Sequence, residues 1–329
     1  MQEPRPPHGT PMTANCRDDG RDAATGGHRE LRERLNAHAG MFYDIGRVIV
    51  EARTPYQDAE LVETETFGRV LLLDGVTQVS ERWEERYHES LVHPAMLAHP
   101  EPRSVLVLGG GDGGALREAL RHRTVETVDF VELDPDVVAF SREHLTHVHR
   151  GSFDDPRVRF HYRDGRAFVE AAPPAYDVVI MDMTDPAGPA RFLYTKEFFA
   201  AVRRSLRDER GVFSMHGESP AARPAAYACI GATLRSVFPV VSAAAAFVPM
   251  YGTLWSFRYA SATVDPSVPG RDELERRVAE RMDGRPSFAT PAMWSSLFSP
   301  DPMLAEAEAD PLGRIVTDAE PDFPDAFGL

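Results

Sequence analysis

A loop reading Gly109-Gly110-Gly111-Asp112-Gly113-Gly114 follows the apolar run Ser104–Leu108. It has the G-x-G-x-x-G spacing that lets a backbone approach a nucleotide at a helix N-terminus. Taken alone, the spacing also fits a structural glycine turn. Glu132 strengthens the ligand reading, because it ends the next apolar run 23 residues after Gly109, where a carboxylate accepts hydrogen bonds from ribose hydroxyls. Asp112 narrows the ligand. A carboxylate inside the loop repels a pyrophosphate and welcomes a cation, so a nicotinamide dinucleotide fits poorly. Asp112 also suits the N-cap of the helix that follows, and from this residue alone both readings stand.

Three more carboxylates belong with these. Asp164-Gly165 follows a third apolar segment, and Asp182 ends a fourth; Asp185 lies in the Thr184-Asp185-Pro186 loop just beyond. In open α/β sheets ligands bind off the carboxyl ends of the strands, and all of these acids map to that edge. Any one of them could cap a helix. Together, without histidines at metal-ligand spacing, they describe an electronegative cleft suited to a cationic ligand, with no metal expected.

The elements that must position these groups follow from the hydrophobic pattern. Residues 1–40, rich in Pro, Gly, Arg and Asp, lack periodicity and read as a disordered tail. Met41–Ala52, Asp58–Thr66 and Arg69–Leu73, separated by turn residues such as Asp74-Gly75, read as a small antiparallel β unit over 41–83. A helix is predicted over Glu84–Ala98. Strands Ser104–Leu108, Thr127–Glu132, Val158–Tyr162, Tyr176–Met181 and Gly211–Met215 then alternate with helices. This alternation predicts a doubly wound, Rossmann-like parallel sheet over 84–262. Ala245–Pro249 and Thr253–Tyr259 read as closing strands, and 263–329 as a charged helix, Asp272–Met282, with a mobile acidic tail from Asp310.

Composition bounds the rest. The formal net charge of −15 disfavours nucleic acid, whose phosphates need basic patches. No apolar run approaches the ~20 residues that span a bilayer, and residues 1–40 hold no signal-peptide block, so no membrane partner and a cytoplasmic location are expected. Cys16 and Cys229 do not suggest a disulfide framework.

Several segments together resemble the polyamine aminopropyltransferases of the spermidine synthase type. They are Asp74-Gly75-Val76-Thr77-Gln78, Tyr87-His88-Glu89, Gly109–Gly114, Asp182-Met183-Thr184-Asp185-Pro186-Ala187-Gly188-Pro189 and His216-Gly217-Glu218-Ser219-Pro220, in the order seen in that family. The resemblance runs from about Met41 to Ser261. It implies a transferase of polyamine and spermidine biosynthesis that moves the aminopropyl group of decarboxylated S-adenosylmethionine onto an amine, most simply putrescine. That sulfonium nucleoside is a co-substrate, and no cofactor is implied.

Residue by residue, the resemblance makes Glu132 the ribose ligand, Asp164 with Gly165 the adenine pair, and Gln57 a contact of the thioether. Gly109, Gly111 and Gly113 shape the donor loop. Asp112 and Asp182 would hold the donor's ammonium, and Asp182 would accept the acceptor's proton. Asp185, Tyr87, Gln78 and Tyr251 would line the amine channel, with His88 beside them. The family also implies a homodimer or homotetramer. An ammonium with a pKa near ~10 must lose a proton before it attacks the methylene beside a sulfonium, and a carboxylate suits that task.

Three departures from the family pattern stand out: Trp83 for an aspartate, His216 for a glutamine, and Met183-Thr184 for Ser-Ser. If Trp83 and His216 line the channel, selectivity for putrescine over cadaverine or longer amines should be relaxed. A protonated His216 would also weaken amine binding below neutral pH. Two alternatives use the same sheet. Asp112 and the Asp182–Pro189 loop argue against a methyltransferase that uses S-adenosylmethionine itself. The presence of Asp182 argues against a non-catalytic nucleoside- or polyamine-binding homologue.

Overall fold

A computed structural model of the protein describes residues 29–324. Cys16 and the rest of residues 1–28 lie outside the described residues, as do 325–329.

The first strands are β1 (Arg29–Arg34) and β2 (Gly40–Ile45), paired antiparallel. A four-stranded antiparallel sheet follows: β3 (Arg47–Arg53), β4 (Asp58–Thr64), β5 (Gly68–Leu73) and β6 (Val76–Ser80). Asp74 and Gly75 join β5 to β6 with φ of 50° and 79°, the positive pair that a two-residue type I′ hairpin requires.

The expected disordered tail is therefore corrected over 29–40, and the single segment Met41–Ala52 divides at Gly46. β1 escapes the hydrophobic pattern because Arg-Glu-Leu-Arg-Glu-Arg offers one apolar side chain, Leu31. That side chain is buried, and Arg29 pairs with Glu60 on β4.

Beyond α1 (Glu85–Ala98) the chain alternates β7 (Ser104–Gly109), α2 (Gly114–Leu120), β8 (Thr127–Glu132), α3 (Pro135–His144), α4 (Thr146–His149), β9 (Val158–Tyr162) and α5 (Gly165–Ala171). It continues through β10 (Val178–Asp182), α6 (Lys196–Ser205), β11 (Val212–His216), α7 (Pro224–Arg235), β12 (Val240–Val248), β13 (Thr253–Ser261) and α8 (Arg271–Arg281). The seven strands stand in the order β12-β13-β11-β10-β7-β8-β9. Five neighbouring strands pair in parallel, as expected, while β13 runs antiparallel to both of its neighbours, β11 and β12, so the sheet is mixed. The closing strand expected from Ala245 is the end of the nine-residue β12.

α1 lies across this sheet and carries Pro94 in its interior. A proline has no N–H for the carbonyl four residues earlier. That carbonyl, of Ser90, accepts instead from the Tyr259 hydroxyl on β13. The β unit and the α/β unit share one apolar core, in which Val62 and Leu72 belong with Leu91, Val105 and Phe257.

The acidic segment from Asp310, expected to be mobile, packs down as far as Pro324. Val316 and Phe323 are buried, and Asp318 accepts from Arg166 and Thr195. Two apolar anchors in an acidic stretch are too sparse to register as a periodic pattern. Among the described residues no helix is long and apolar enough to cross a membrane.

Candidate active site

The strand order reverses between β7 and β10, and the candidate residues gather at the carboxyl ends of these two strands. Gly109 and Gly110 have φ of 74° and 73°. A Cβ at Gly109 would stand 2.3 Å from the Asp182 carbonyl, and one at Gly110 would stand 2.9 Å from the Asp182 carboxylate. Only glycines allow the β7 loop to lie this close to the end of β10.

Asp182 is the centre of the site. Its Oδ1 accepts from the Tyr87 hydroxyl at 2.8 Å, while Oδ2 is buried and has no hydrogen-bond partner among the described residues. Burial, and then the Asp112 charge, raise its pKa to about 6. Asp112 is not the N-cap of α2, a place taken by Gly113; it stands one residue earlier, its Oδ1 accepting from Gly114 N at 2.7 Å and lying 3.5 Å from His88 Nε2.

His88 Nε2 is also 4.0 Å from Asp182 Oδ2, and Nδ1 is 2.6 Å from Glu84 Oε2. Burial alone would lower the pKa of His88, but Asp112 and Glu84 outweigh it and hold the imidazole well above its usual value. Arg117 in turn donates to both oxygens of Glu84, at 2.8 and 2.9 Å. Burial opposes ionisation of Glu84, yet His88 and Arg117 bring its pKa down to about 2.

The ligand atoms of His88, Asp112 and Asp182 all lie within 4.8 Å of one another. A metal ion would need a deprotonated Nε2, which the surrounding carboxylates oppose; an ammonium suits the two acids directly.

On the β8 side, Glu132 Oε1 accepts from Leu133 N and Asp134 N at 2.7 and 3.1 Å, and burial raises its pKa to about 7. A Cβ at Gly111 would stand 3.3 Å from Glu132 Oε2, so this carboxylate borders the glycine loop. Gln57 reaches the same corner, with Nε2 3.4 Å from Asp134 Oδ2. Gly113, with φ of 80°, precedes α2 against Phe153 and His149. Asp164 caps α5 by accepting from Ala167 N at 2.7 Å, with Gly165 as the first helical residue.

The opposite side is aromatic. Tyr87 meets Tyr251 edge-on at 5.9 Å, Tyr251 meets Trp255 at 4.8 Å, and Trp255 stacks on His216 at 5.7 Å. The Tyr251 hydroxyl donates to the Gln78 carbonyl at 2.9 Å, and the Gln78 amide turns back to the Val76 carbonyl. Asp185 lies beyond, 3.8 Å from Arg223.

Two of the departures, His216 and Trp83, sit differently from each other. His216 is buried with Nε2 2.7 Å from the Tyr194 hydroxyl and 3.1 Å from the Met183 carbonyl, and burial lowers its pKa. The expected repulsion by a protonated His216 is thereby corrected, since the neutral ring is favoured. Trp83 is half-exposed on the β unit, edge-on to Phe67 at 6.4 Å.

Sequence reasoning missed Glu84, Glu33 and Arg223. Glu84 stands four residues before His88, a helical spacing that signals contact. Glu33 fell in the segment set aside as disordered; it is half-buried, accepts from Thr77 N at 3.1 Å, and desolvation raises its pKa. Arg223 carries no comparable signal.

Residues 84–269 match the model of the spermine/spermidine synthase domain, and residues 29–81 match the spermidine synthase tetramerisation domain. A polyamine aminopropyltransferase of Nitrosomonas europaea is 41% identical over 248 residues, covering 75% of this chain and 76% of that one. Polyamine aminopropyltransferase 2 of Pseudomonas aeruginosa is 42% identical over 243 residues, 73% of this chain and 69% of its own length. A crystal structure of spermidine synthase in complex with the transition-state analogue AdoDATO superposes with a TM-score of 0.79 at 31% identity, covering 85% of this chain and 95% of that one. Spermidine synthase from Thermotoga maritima gives 0.78 at 30% identity, covering 85% and 94%.

Proposed function

This chain belongs to the spermine/spermidine synthase family and is a polyamine aminopropyltransferase, and we propose that it transfers the aminopropyl group of decarboxylated S-adenosylmethionine to putrescine. The single observation that carries the mechanism is the buried, unpartnered Oδ2 of Asp182 beside Asp112 and His88. An ammonium is the ligand that a buried carboxylate oxygen with an open lone pair accepts best.

In this reading Glu132 holds the donor ribose, Asp164 and Gly165 the adenine, and Gln57 the sulfur end, while Gly109, Gly111 and Gly113 let the backbone approach the nucleoside. Asp112 and Asp182 hold the donor's aminopropyl ammonium. They also repel the carboxylate that S-adenosylmethionine itself would bring. Tyr87, Gln78, Tyr251 and Asp185 line the acceptor side, with His88 at its floor.

The acceptor ammonium gives a proton to Asp182 Oδ2. The freed nitrogen lone pair forms a bond to the methylene carbon beside the sulfonium. The carbon–sulfur bond breaks with its electron pair going to sulfur, leaving neutral methylthioadenosine and a secondary ammonium. Holding both partners at attack distance supplies much of the rate.

We also infer a homodimer or homotetramer built through 29–81, where Phe42 on β2 is 68% exposed. A light-scattering mass of one chain at micromolar protein would contradict that assembly.

The decisive experiment incubates the protein with decarboxylated S-adenosylmethionine and putrescine, and follows methylthioadenosine. Release that depends on the amine is expected. Turnover of S-adenosylmethionine instead would identify a methyltransferase, and donor binding without release for any amine would identify a sensor.

A further inference from the structure

Beside Asp185, three residues after the proposed proton acceptor in the chain, one guanidinium is set among carboxylates. Arg223 precedes α7 with a side chain only 7% exposed. Its Nη1 is 3.8 Å from Asp185 Oδ2 and 3.4 Å from Glu218 Oε1, and its Nε donates to the Leu35 carbonyl at 3.0 Å. Glu218 is fully buried and held with φ of 66°, a conformation unusual for a residue with a side chain. Its carbonyl accepts from Ser256 Oγ and Ser256 N on β13, which fixes the strained backbone. Glu33, on β1, completes the group: Asp185 raises its pKa and Arg223 lowers it, beneath a larger effect of burial.

The position matters because these groups lie on the acceptor side. Asp185 and Glu33 act electrostatically on Tyr251, as Asp182 and Asp112 do from the reacting end. In the proposed reading an acceptor that extends from Asp182 past Tyr251 reaches Asp185, whose Oδ2 is 3.8 Å from Arg223 Nη1. A diamine ends in one ammonium, which Asp185 can hold. A triamine brings another ammonium, and the charge facing it would be the guanidinium.

We propose that Arg223 is a specificity-determining residue that confines the acceptor to diamines by opposing any ammonium placed beyond Asp185. The proposal rests on the aminopropyl-transfer reading and adds the acceptor class to it. It concerns a unit change of charge at one position, so it does not depend on the total charge of the region.

The test uses the full chain with decarboxylated S-adenosylmethionine, and compares kcat/KM for putrescine and for the triamine spermidine. Arg223→Gln should raise the triamine-to-diamine ratio by on the order of tenfold, from removal of one charge near the bound cation in a partly solvated site. Arg223→Lys keeps the charge and should leave the ratio within about twofold of the parent. Glu218→Gln removes a neighbouring negative charge and should move the ratio the opposite way, so it decides the matter if Arg223→Gln does not fold. An unchanged ratio in Arg223→Gln, an equal shift in Arg223→Lys, or a Glu218→Gln shift in the same sense would overturn the proposal. A parent enzyme that releases no methylthioadenosine with any amine would overturn the transfer reading, and this one with it.

Discussion

Tyr87 gives its hydroxyl hydrogen to Asp182 Oδ1 at 2.8 Å, and that bond leaves Oδ2 as the oxygen of the carboxylate without a partner among the described residues. Tyr87 is on the first turn of α1 and Asp182 ends β10, so the helix that crosses the sheet fixes the carboxylate rotamer from outside the nucleotide loop. In the proposed mechanism a base held this way takes a proton through Oδ2 alone.

Asp182→Asn should therefore fold normally and still bind the donor through Glu132, Asp164 and Asp112, yet lose turnover by ~10²–10⁴, the usual worth of a positioned general base. Its stability should move the other way. The Asp182 pKa is raised to about 6 in the fold, against ~3.9 for an unfolded aspartate. Ionisation thus costs stability as pH rises between these values, and the cost is fully present above the higher one. The amide has no such cost, so Asp182→Asn should melt above the parent at about pH 7.5 and match it near pH 4, by calorimetry. Near-normal turnover in this variant would place the base elsewhere.

In the proposed mechanism the same residue should set the acid limb of the pH profile. Asp182 must be ionised to accept a proton, so kcat/KM should fall as pH drops through about 6. The Asp112 charge is part of what raises that pKa. Asp112→Asn should accordingly move the limb to lower pH, whatever it does to donor affinity. A limb that stays in place would show that another group is being titrated.

How much of this was readable in the chain depends on the signal each residue leaves. The glycine loop, Glu132, Asp164 and Asp182 end or follow apolar runs, and strand ends are visible wherever Val, Ile and Leu stop. The parallel strands follow from the same runs. β1 was invisible because its core contact is the lone Leu31, and Glu33 was lost with it. Arg223 and Glu218 meet only through the fold, since a bend at positive φ and a strand partner on β13 create the pairing. No local pattern encodes such a contact. Asp112 was ambiguous between cap and ligand, and the structure shows why: Gly114 N and His88 face the same oxygen.

Glu84 gives a paired test with the opposite sign. It is buried between His88 and Arg117, and keeps the imidazole protonated beside Asp182. The His88 cation lowers the Asp182 pKa. Glu84→Gln should therefore shift the acid limb upward, the reverse of Asp112→Asn. It should also lose roughly 3–5 kcal/mol of stability, the cost of breaking a buried ion pair on one side. A limb that moved downward, or a melting temperature equal to the parent's, would remove Glu84 from this role.

The last expectation concerns Trp83 and His216, the positions that depart from the family pattern. Trp83 has φ of 69° and rests edge-on against Phe67 on the β unit, 40% exposed. An indole so placed packs on its own sheet, and replacing it alters that surface rather than the reacting groups. His216 is 1% exposed, with Nε2 held between the Tyr194 hydroxyl and the Met183 carbonyl, and burial lowers its pKa. A ring whose pKa burial pushes below its usual value carries less charge to repel an amine. Its task is to pin the Met183-Thr184 stretch that follows Asp182. The double variant Trp83→Asp with His216→Gln should consequently keep the parent's preference among putrescine, cadaverine and spermidine within about twofold, well under the tenfold that a ~1.4 kcal/mol change would produce. The amine KM should rise on the acid side as it does in the parent. A double variant with a sharpened choice of putrescine and a flattened acid side would return both residues to the channel.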